Sequence, residues 1–254
     1  MSVEQTGRLD RGDGVELAWA ALPGAGPTVV FLGGFRSDMG GTKALALRDV
    51  CARLGQSFLR LDYSGHGISG GAFEDGCIGE WAADAARVID AQAPGPVVLV
   101  GSSMGGWIAL LLARRWGARV RGLVGIAAAP DFTSRLMEPG LTDAQRAALA
   151  RDGIAHLPNP YGDPVPITAK LLADGRKQSV LDRPLPFTGP VRLLQGMRDD
   201  EVPWHTAPDI ATTLDAGDVR VLLVKDGDHR LSRPQDLAML DKVLAGLLGL
   251  LAGG

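Results

Sequence analysis

Cysteine, histidine and aromatic side chains are scarce in this sequence, and each scarcity removes a class of protein. Only two cysteines, Cys51 and Cys77, stand among 254 residues. They have no metal-type spacing and are too few for a disulfide-stapled scaffold. A reduced, intracellular protein with packing cysteines is the expectation, a single bridge the alternative. Four histidines lie far apart in the chain, which speaks against a clustered metal centre, so neither metal nor cofactor is expected. Surplus positive charge is missing too: 26 Lys and Arg stand against 29 Asp and Glu, a net charge of −3. That balance offers no electrostatic footprint for nucleic acid or an anionic membrane. Long hydrophobic runs are also absent. Met1 to Gly14 lacks the apolar core of a secretory signal. Val243 to Ala252, bounded by Asp241 and Lys242, is too short to span a bilayer and reads as a buried final helix. The expectation is a cytoplasmic protein without a membrane span, of unspecified oligomeric state.

What is present suits a globular enzyme. Hydrophobic residues make up 46% and charged residues 22%, enough to bury a full core. The length fits one domain carrying an insertion, with no internal repeat or low-complexity linker. Loose alternation over Gly7 to Leu22 around Gly12-Asp13-Gly14 predicts a hairpin. Strands follow at Thr28–Leu32, Ser57–Leu61, Val97 onward and Val120–Ala127, with helices at Thr42–Leu54 and Ile78–Ala91 between them. From Phe132 to Pro186 the texture changes. Prolines cluster at Leu157-Pro158-Asn159-Pro160 and Asp163-Pro164-Val165-Pro166, and no strand signal appears before Val191. One helix, Thr142 to Arg151, begins at a cap supplied by Thr142 or Asp143. So long an excursion between buried strands suits a lid. Regular alternation then returns with a strand at Val191–Gln195, a helix at Trp204–Leu214, a strand at Val219–Val224 and a helix from Pro234. The fold class is therefore α/β, a mostly parallel sheet with helices on both faces. Its core is 1–131 with 187–254, and 132–186 forms a cap.

The most informative stretch is Pro96-Val97-Val98-Leu99-Val100-Gly101-Ser102-Ser103-Met104-Gly105-Gly106-Trp107. A buried strand runs into Gly-x-Ser-x-Gly, and a leucine-rich helix follows at once. A nucleophile elbow needs this order, because a sharp turn leaves no room for side chains two residues before and after its serine. Only one register works, since a nucleophile at Ser102 would put Val100 where a glycine is required. Ser103 needs an imidazole to take its proton, and the imidazole needs a carboxylate to fix its tautomer. His229, in the Gly227-Asp228-His229-Arg230 loop after the last strand, is the candidate base. His66 sits in a glycine-rich turn before Ser103 and suits packing; His156 lies in the insertion; His205 stands beside Trp204 at a helix start. The candidate acid lies in Gly196-Met197-Arg198-Asp199-Asp200-Glu201-Val202-Pro203. Spacing favours Asp199 over Asp200, and Asp200 and Glu201 read as an acidic helix start. Two backbone N–H groups, those of Met104 and Phe35, are placed to receive a developing oxyanion.

Together, Gly33-Gly34-Phe35, Asp62-Tyr63-Ser64-Gly65-His66-Gly67-Ile68-Ser69-Gly70, Gly101 to Gly105, Asp199 to Pro203 and Asp228-His229 resemble the α/β-hydrolase superfamily. The resemblance spans nearly the whole chain outside the insertion. It implies that family's order of serine, acid and histidine, on Ser103, Asp199 and His229. More narrowly, Gly40-Gly41-Thr42-Lys43-Ala44-Leu45-Ala46 and Asp199 to Thr206 resemble the mitochondrial palmitoyl-protein thioesterase branch, which also hydrolyses acyl glucuronides. The implied substrate is a small acyl ester or thioester, or an acylated protein. Leu136, Met137, Leu171 and Leu172 are candidate pocket residues, and Arg36, Arg198 and Arg230 could meet an acidic leaving group. Against this stand a non-catalytic binding protein of the same fold and a nicotinamide oxidoreductase. The latter reading rests on Gly65-His66-Gly67-Ile68-Ser69-Gly70, a Gly-x-Gly-x-x-Gly pattern after a strand, but the loop continues past it where a helix should begin.

Overall fold

Short β-branched runs and helix-period segments alternate along the chain, and the computed structural model, which describes residues 3–158 and 163–253, turns them into a large sheet, its covering helices and a separate two-stranded ribbon. Strands β1 (Gln5–Asp10), β2 (Glu16–Leu22), β3 (Ala25–Leu32), β4 (Gln56–Leu61), β5 (Val97–Ser102) and β6 (Val120–Ile126) come first. Helices α1 (Thr42–Leu54), α2 (Ile78–Gln92) and α3 (Met104–Trp116) lie between them. After β6 come a π-helical turn (Thr133–Met137), the single turn α4 (Glu138–Gly140), α5 (Asp143–Asp152), a ribbon of β7 (Ile154–Leu157) and β8 (Val165–Thr168), and α6 (Ala169–Lys177). Strand β9 (Val191–Gly196), α7 (Thr206–Thr213), β10 (Val219–Val224) and α8 (Pro234–Ala252) complete the order.

The large sheet runs β1-β2-β4-β3-β5-β6-β9-β10. Strands β1 and β2 pair antiparallel, β2 meets β4 antiparallel, and every pairing from β4 to β10 is parallel. Parallel strands covered on both faces must be apolar throughout, and Val97 to Val100 of β5 are each 0% exposed. Val98 and Val100 pack with α1 and α8, while Val97 and Leu99 pack with α2 and α3. Cys51 and Cys77 belong to these two opposite layers and are free thiols, so the single-bridge alternative is excluded. Burial pushes their thiols up, to about 12 and about 11.

Two features of the Phe132 to Pro186 stretch depart from the sequence reading. It contains a ribbon, with His156 opposite Pro166 in the β7–β8 pair; Pro166 is tolerated because a two-stranded ribbon has outward edges that need no N–H. It also contains α6, capped by Thr168, whose hydroxyl accepts from Leu171 N at 3.0 Å. Asn159 and Pro160, from the first proline cluster, lie outside the described residues. Helix α5 is capped by Thr142 in a reciprocal box with Gln145. The stretch is fastened to the core by Asp174 accepting from Gly79 N at 2.7 Å and by Trp107 Nε1 donating to Gln178 O at 3.0 Å. No helix among the described residues is long and apolar enough to cross a membrane.

Candidate active site

Strand β5 and helix α3 meet with no room between them. A Cβ on Gly101 would lie 2.3 Å from the carbonyl oxygen of Gly105, and one on Gly105 would lie 2.0 Å from that of Leu32. Both contacts are sterically forbidden, so these glycines are what lets the chain turn so sharply. The residue at the apex takes the strain: Ser103 has φ 52° and ψ −119°, a conformation expensive for a residue with a side chain. Among the described residues four other non-glycine positions have positive φ, namely Arg36, Ala127, Asp131 and Leu231. All five lie in the connections that follow β3, β5, β6 and β10, at the carboxyl edge of the sheet.

The loop after β10 brings His229 to this apex. Ser103 Oγ lies 3.1 Å from His229 Nε2, and His229 Nδ1 lies 2.8 Å from Asp199 Oδ2. The pairing assigns the tautomer: Nδ1–H donates to the carboxylate, leaving Nε2 to accept from the serine hydroxyl. Asp199, from the loop after β9, has a fully covered side chain. Burial alone would raise its carboxyl, but hydrogen bonds from His229 and from the N–H groups of Val202 and Glu201 outweigh it and hold the group below its ordinary value. A further donor, absent from the sequence reading, is Gln195 Nε2, 2.8 Å from Asp199 Oδ2. A polar residue closing the apolar run Val191-Arg192-Leu193-Leu194 was its available signal. Asp200 is exposed beside it. The helix-start reading of Asp200 and Glu201 is corrected, because α7 begins only at Thr206 and the acid of its first turn is Asp209.

Loop residues after β3 press against the apex from the other side; a Cβ on Gly34 would lie 3.3 Å from Ser103 Cβ. Phe35 is held edge-on by Phe73, Trp81 and Phe132, at 5.0, 5.9 and 5.6 Å between ring centres. Met104, the first residue of α3, has an N–H with no intrahelical acceptor.

Two cavities meet at Ser103. One, of about 490 Å³, is apolar and includes Phe132, Leu136, Met137 and Val202. The other, of about 650 Å³, is polar and includes Arg36, Lys43, Asp163, His229 and Arg230. Phe35, Ser103 and Glu201 line both. Leu171 and Leu172 line neither; they are 2% and 6% exposed and pack in the core beneath α6. That corrects their candidacy: α6 packs against α2 and the Thr133–Met137 turn, and its two leucines are buried in the core. Arg198 likewise lines neither cavity. Lys43 was missed as a candidate; its Nζ donates to Arg230 O at 2.6 Å. Burial, reinforced by the Arg230 charge, pulls its ammonium down to about 8. His66 is buried among Tyr63, Phe73 and Trp81, while His156 and His205 are exposed. The loop of the Gly-x-Gly-x-x-Gly pattern is occupied by Asp62, whose carboxylate accepts from Ile68 N at 3.0 Å and from Met39 N at 2.6 Å. Among the described residues no group of His, Cys, Asp and Glu is arranged to hold a metal.

A strained serine at a strand-to-helix turn, on a parallel sheet, with histidine and acid from later strands, defines an α/β hydrolase. The model of the alpha/beta hydrolase family matches residues 21–246, and the chain belongs to that family. Its similarity to the mitochondrial palmitoyl-protein thioesterase ABHD10 of Bos taurus is 37% identity over 234 residues, covering 91% of this chain and 76% of that protein. The structure of mouse alpha/beta hydrolase domain-containing protein 10 superposes with a TM-score of 0.89 at 34% identity, covering 97% of this chain and 99% of the other. A structure described as a hydrolase from Agrobacterium vitis S4 superposes with a TM-score of 0.92 at 43% identity, covering 98% and 99%. The name of the Bos taurus protein puts it in mitochondria, so the expectation of a cytoplasmic location draws no support from it.

Proposed function

We propose that the chain is a serine hydrolase that cleaves carboxylic esters or acyl thioesters through an acyl-enzyme on Ser103. The observation that carries this reading is the continuous hydrogen-bonded line Ser103–His229–Asp199, at 3.1 and 2.8 Å, starting from a serine in strained backbone. Ser103 Oγ attacks the acyl carbonyl while His229 Nε2 takes its proton. Asp199 holds the ring and stabilises the imidazolium. The oxyanion is received by the N–H groups of Phe35 and Met104, an interaction worth about 3 kcal/mol per donor. His229 then protonates the leaving alcohol or thiol, and water releases the acid.

Residues 132–186 act as a cap, and the apolar cavity under Leu136 and Met137 takes the acyl chain. The polar cavity takes the leaving group, where Arg36, Lys43 and Arg230 favour one that carries negative charge. The named activity of the Bos taurus relative makes a palmitoyl thioester the first substrate to try, with an acyl glucuronide as its ester counterpart. An acylated protein and a small acyl thioester are alternative presentations of one bond.

A fluorophosphonate probe tests the nucleophile. Wild type labels and Ser103→Ala does not. A folded wild type that stays unlabelled would instead be a non-catalytic binding protein on this fold, and labelling of Ser103→Ala would mean that the nucleophile lies elsewhere. Comparing kcat/KM over acyl thioesters and esters of graded chain length then assigns the acyl preference.

A further inference from the structure

We infer that Glu201 positions the hydrolytic water in the deacylation half of the reaction, an inference that rests on the acyl-enzyme reading above. Among the described residues, Glu201 is one of three that line both cavities, the others being Ser103 and Phe35. Those two flank the spot where an acyl carbonyl must sit. A charged carboxylate standing beside them at the junction of an apolar and a polar chamber requires a reason. Its Oε2 lies 3.6 Å from His229 Nε2, the nitrogen that faces Ser103. With Nε2 unprotonated this contact is not an ion pair; among the described residues no other basic group lies within 4.0 Å of the carboxylate, which accepts no hydrogen bond. Among the described residues the Glu201 side chain therefore neither caps a helix nor braces a loop, while its backbone N–H donates to Asp199 Oδ1 at 2.9 Å.

Acylation and deacylation ask different things of this corner. In acylation the proton reaching Nε2 comes from Ser103 Oγ, already within hydrogen-bond distance at 3.1 Å. In deacylation that oxygen is esterified, and the proton must come from a water that no protein group has yet oriented. Such a water lies between Nε2 and the acyl carbon. One of its hydrogens points to Nε2, and the carboxylate across the 3.6 Å gap accepts the other. The water oxygen bonds to the acyl carbon as its first proton moves to Nε2. The tetrahedral intermediate collapses, the bond from carbon to Ser103 Oγ breaks, and His229 returns the proton to Oγ. The second hydrogen leaves with the carboxylic acid. Glu201 is unchanged at the end.

The Glu201 side chain is 65% exposed, so its removal leaves the fold intact, and an unchanged melting temperature confirms that in each variant. Rapid mixing with p-nitrophenyl acetate separates the two steps: p-nitrophenolate release follows acylation, and intact-protein mass spectrometry follows decay of the acetyl adduct. Glu201→Ala should acylate within about twofold of wild type yet deacylate about tenfold more slowly, the equivalent of one charge-assisted hydrogen bond. Glu201→Gln, which keeps an acceptor oxygen, should lose less. Equal losses in both steps would mean that Glu201 acts on the imidazolium generally, and unchanged deacylation would mean that it does not touch the water; either result overturns the inference. Fluorophosphonate labelling of wild-type Ser103 is the separate check. If it fails, the acyl-enzyme reading falls first, whatever Glu201 does.

Discussion

Asp199 keeps its carboxylate covered while accepting from His229, Gln195 and two backbone N–H groups, whereas Asp200 beside it stands in solvent. The two residues are chemically identical, so environment alone separates them. Asp199→Asn replaces an acceptor with an amide that cannot hold the Nδ1–H tautomer, and kcat/KM should fall on the order of 10³- to 10⁴-fold. Asp200→Asn should change it less than about twofold, because an exposed carboxylate contributes little to a buried hydrogen-bonded line. Steady-state assays of the two variants on one ester substrate make the comparison, and an equal effect would transfer the role to Asp200. At this scale the sequence was readable where chemistry constrains residue type, as at Gly101, Ser103 and His229. Glu201 and Lys43 were not readable, since nothing local distinguishes a surface charge from one that a loop, or the first turn of α1, carries into a cavity. The same holds for Leu171 and Leu172, whose apolar character does not disclose the face of α6 on which they stand.

Among the elements, the alternating core was legible almost to the residue, with α1 observed over its expected range Thr42–Leu54, because parallel strands demand continuous apolar runs. The insertion was not. Its ribbon strands are four residues each, β8 contains a proline, and pairing across a proline-rich connection is a tertiary fact. A further join between this stretch and the core is Asp131, at φ 56° after β6. Its carboxylate accepts from Ser179 Oγ at 2.8 Å and from the N–H groups of Val180 and Leu181 at 3.0 Å each. The acid is 1% exposed, so truncation strands the buried Val180 N–H and removes the acceptor of the half-buried Leu181 N–H. Asp131→Ala should cost about 3 kcal/mol, lowering the melting temperature by roughly 6–12 °C for a chain of this size. Asp131→Asn keeps one acceptor oxygen and tolerates the left-handed conformation but turns a donor NH2 toward the remaining partners, so it should lose less than Asp131→Ala without matching wild type. An Asp131→Asn melting temperature equal to wild type by thermal denaturation would leave the hydrogen bond of the second oxygen with no part in the effect.

For the whole molecule, strain and unpartnered polarity gather on the functional edge of the sheet. The five non-glycine residues of positive φ among those described lie there, and close by sits His66, 3% exposed, with Nε2 unpartnered and aromatic rings around it. Burial holds its imidazole below the ordinary value; the Ser64 carbonyl, 3.1 Å from Nδ1, and the Asp84 charge oppose this in part. The sign follows from which state binds the proton. Below a pH of about 6.5 the unfolded chain protonates this histidine while the folded chain still refuses it. Stability is therefore full above that pH and declines as pH falls toward the lowered folded value. Asp199, depressed in the folded state, contributes stability above the ordinary carboxylate range that is lost only at lower pH, as its own folded value is passed. Between about pH 5.5 and 6.5 the difference between wild type and His66→Phe thus isolates this one ring, since phenylalanine keeps the edge-to-face packing and cannot titrate. Urea denaturation midpoints measured across that interval should fall with pH in wild type more steeply than in His66→Phe. Parallel curves would mean that the folded protein accepts the proton after all, and that the aromatic shell around His66 opens to water.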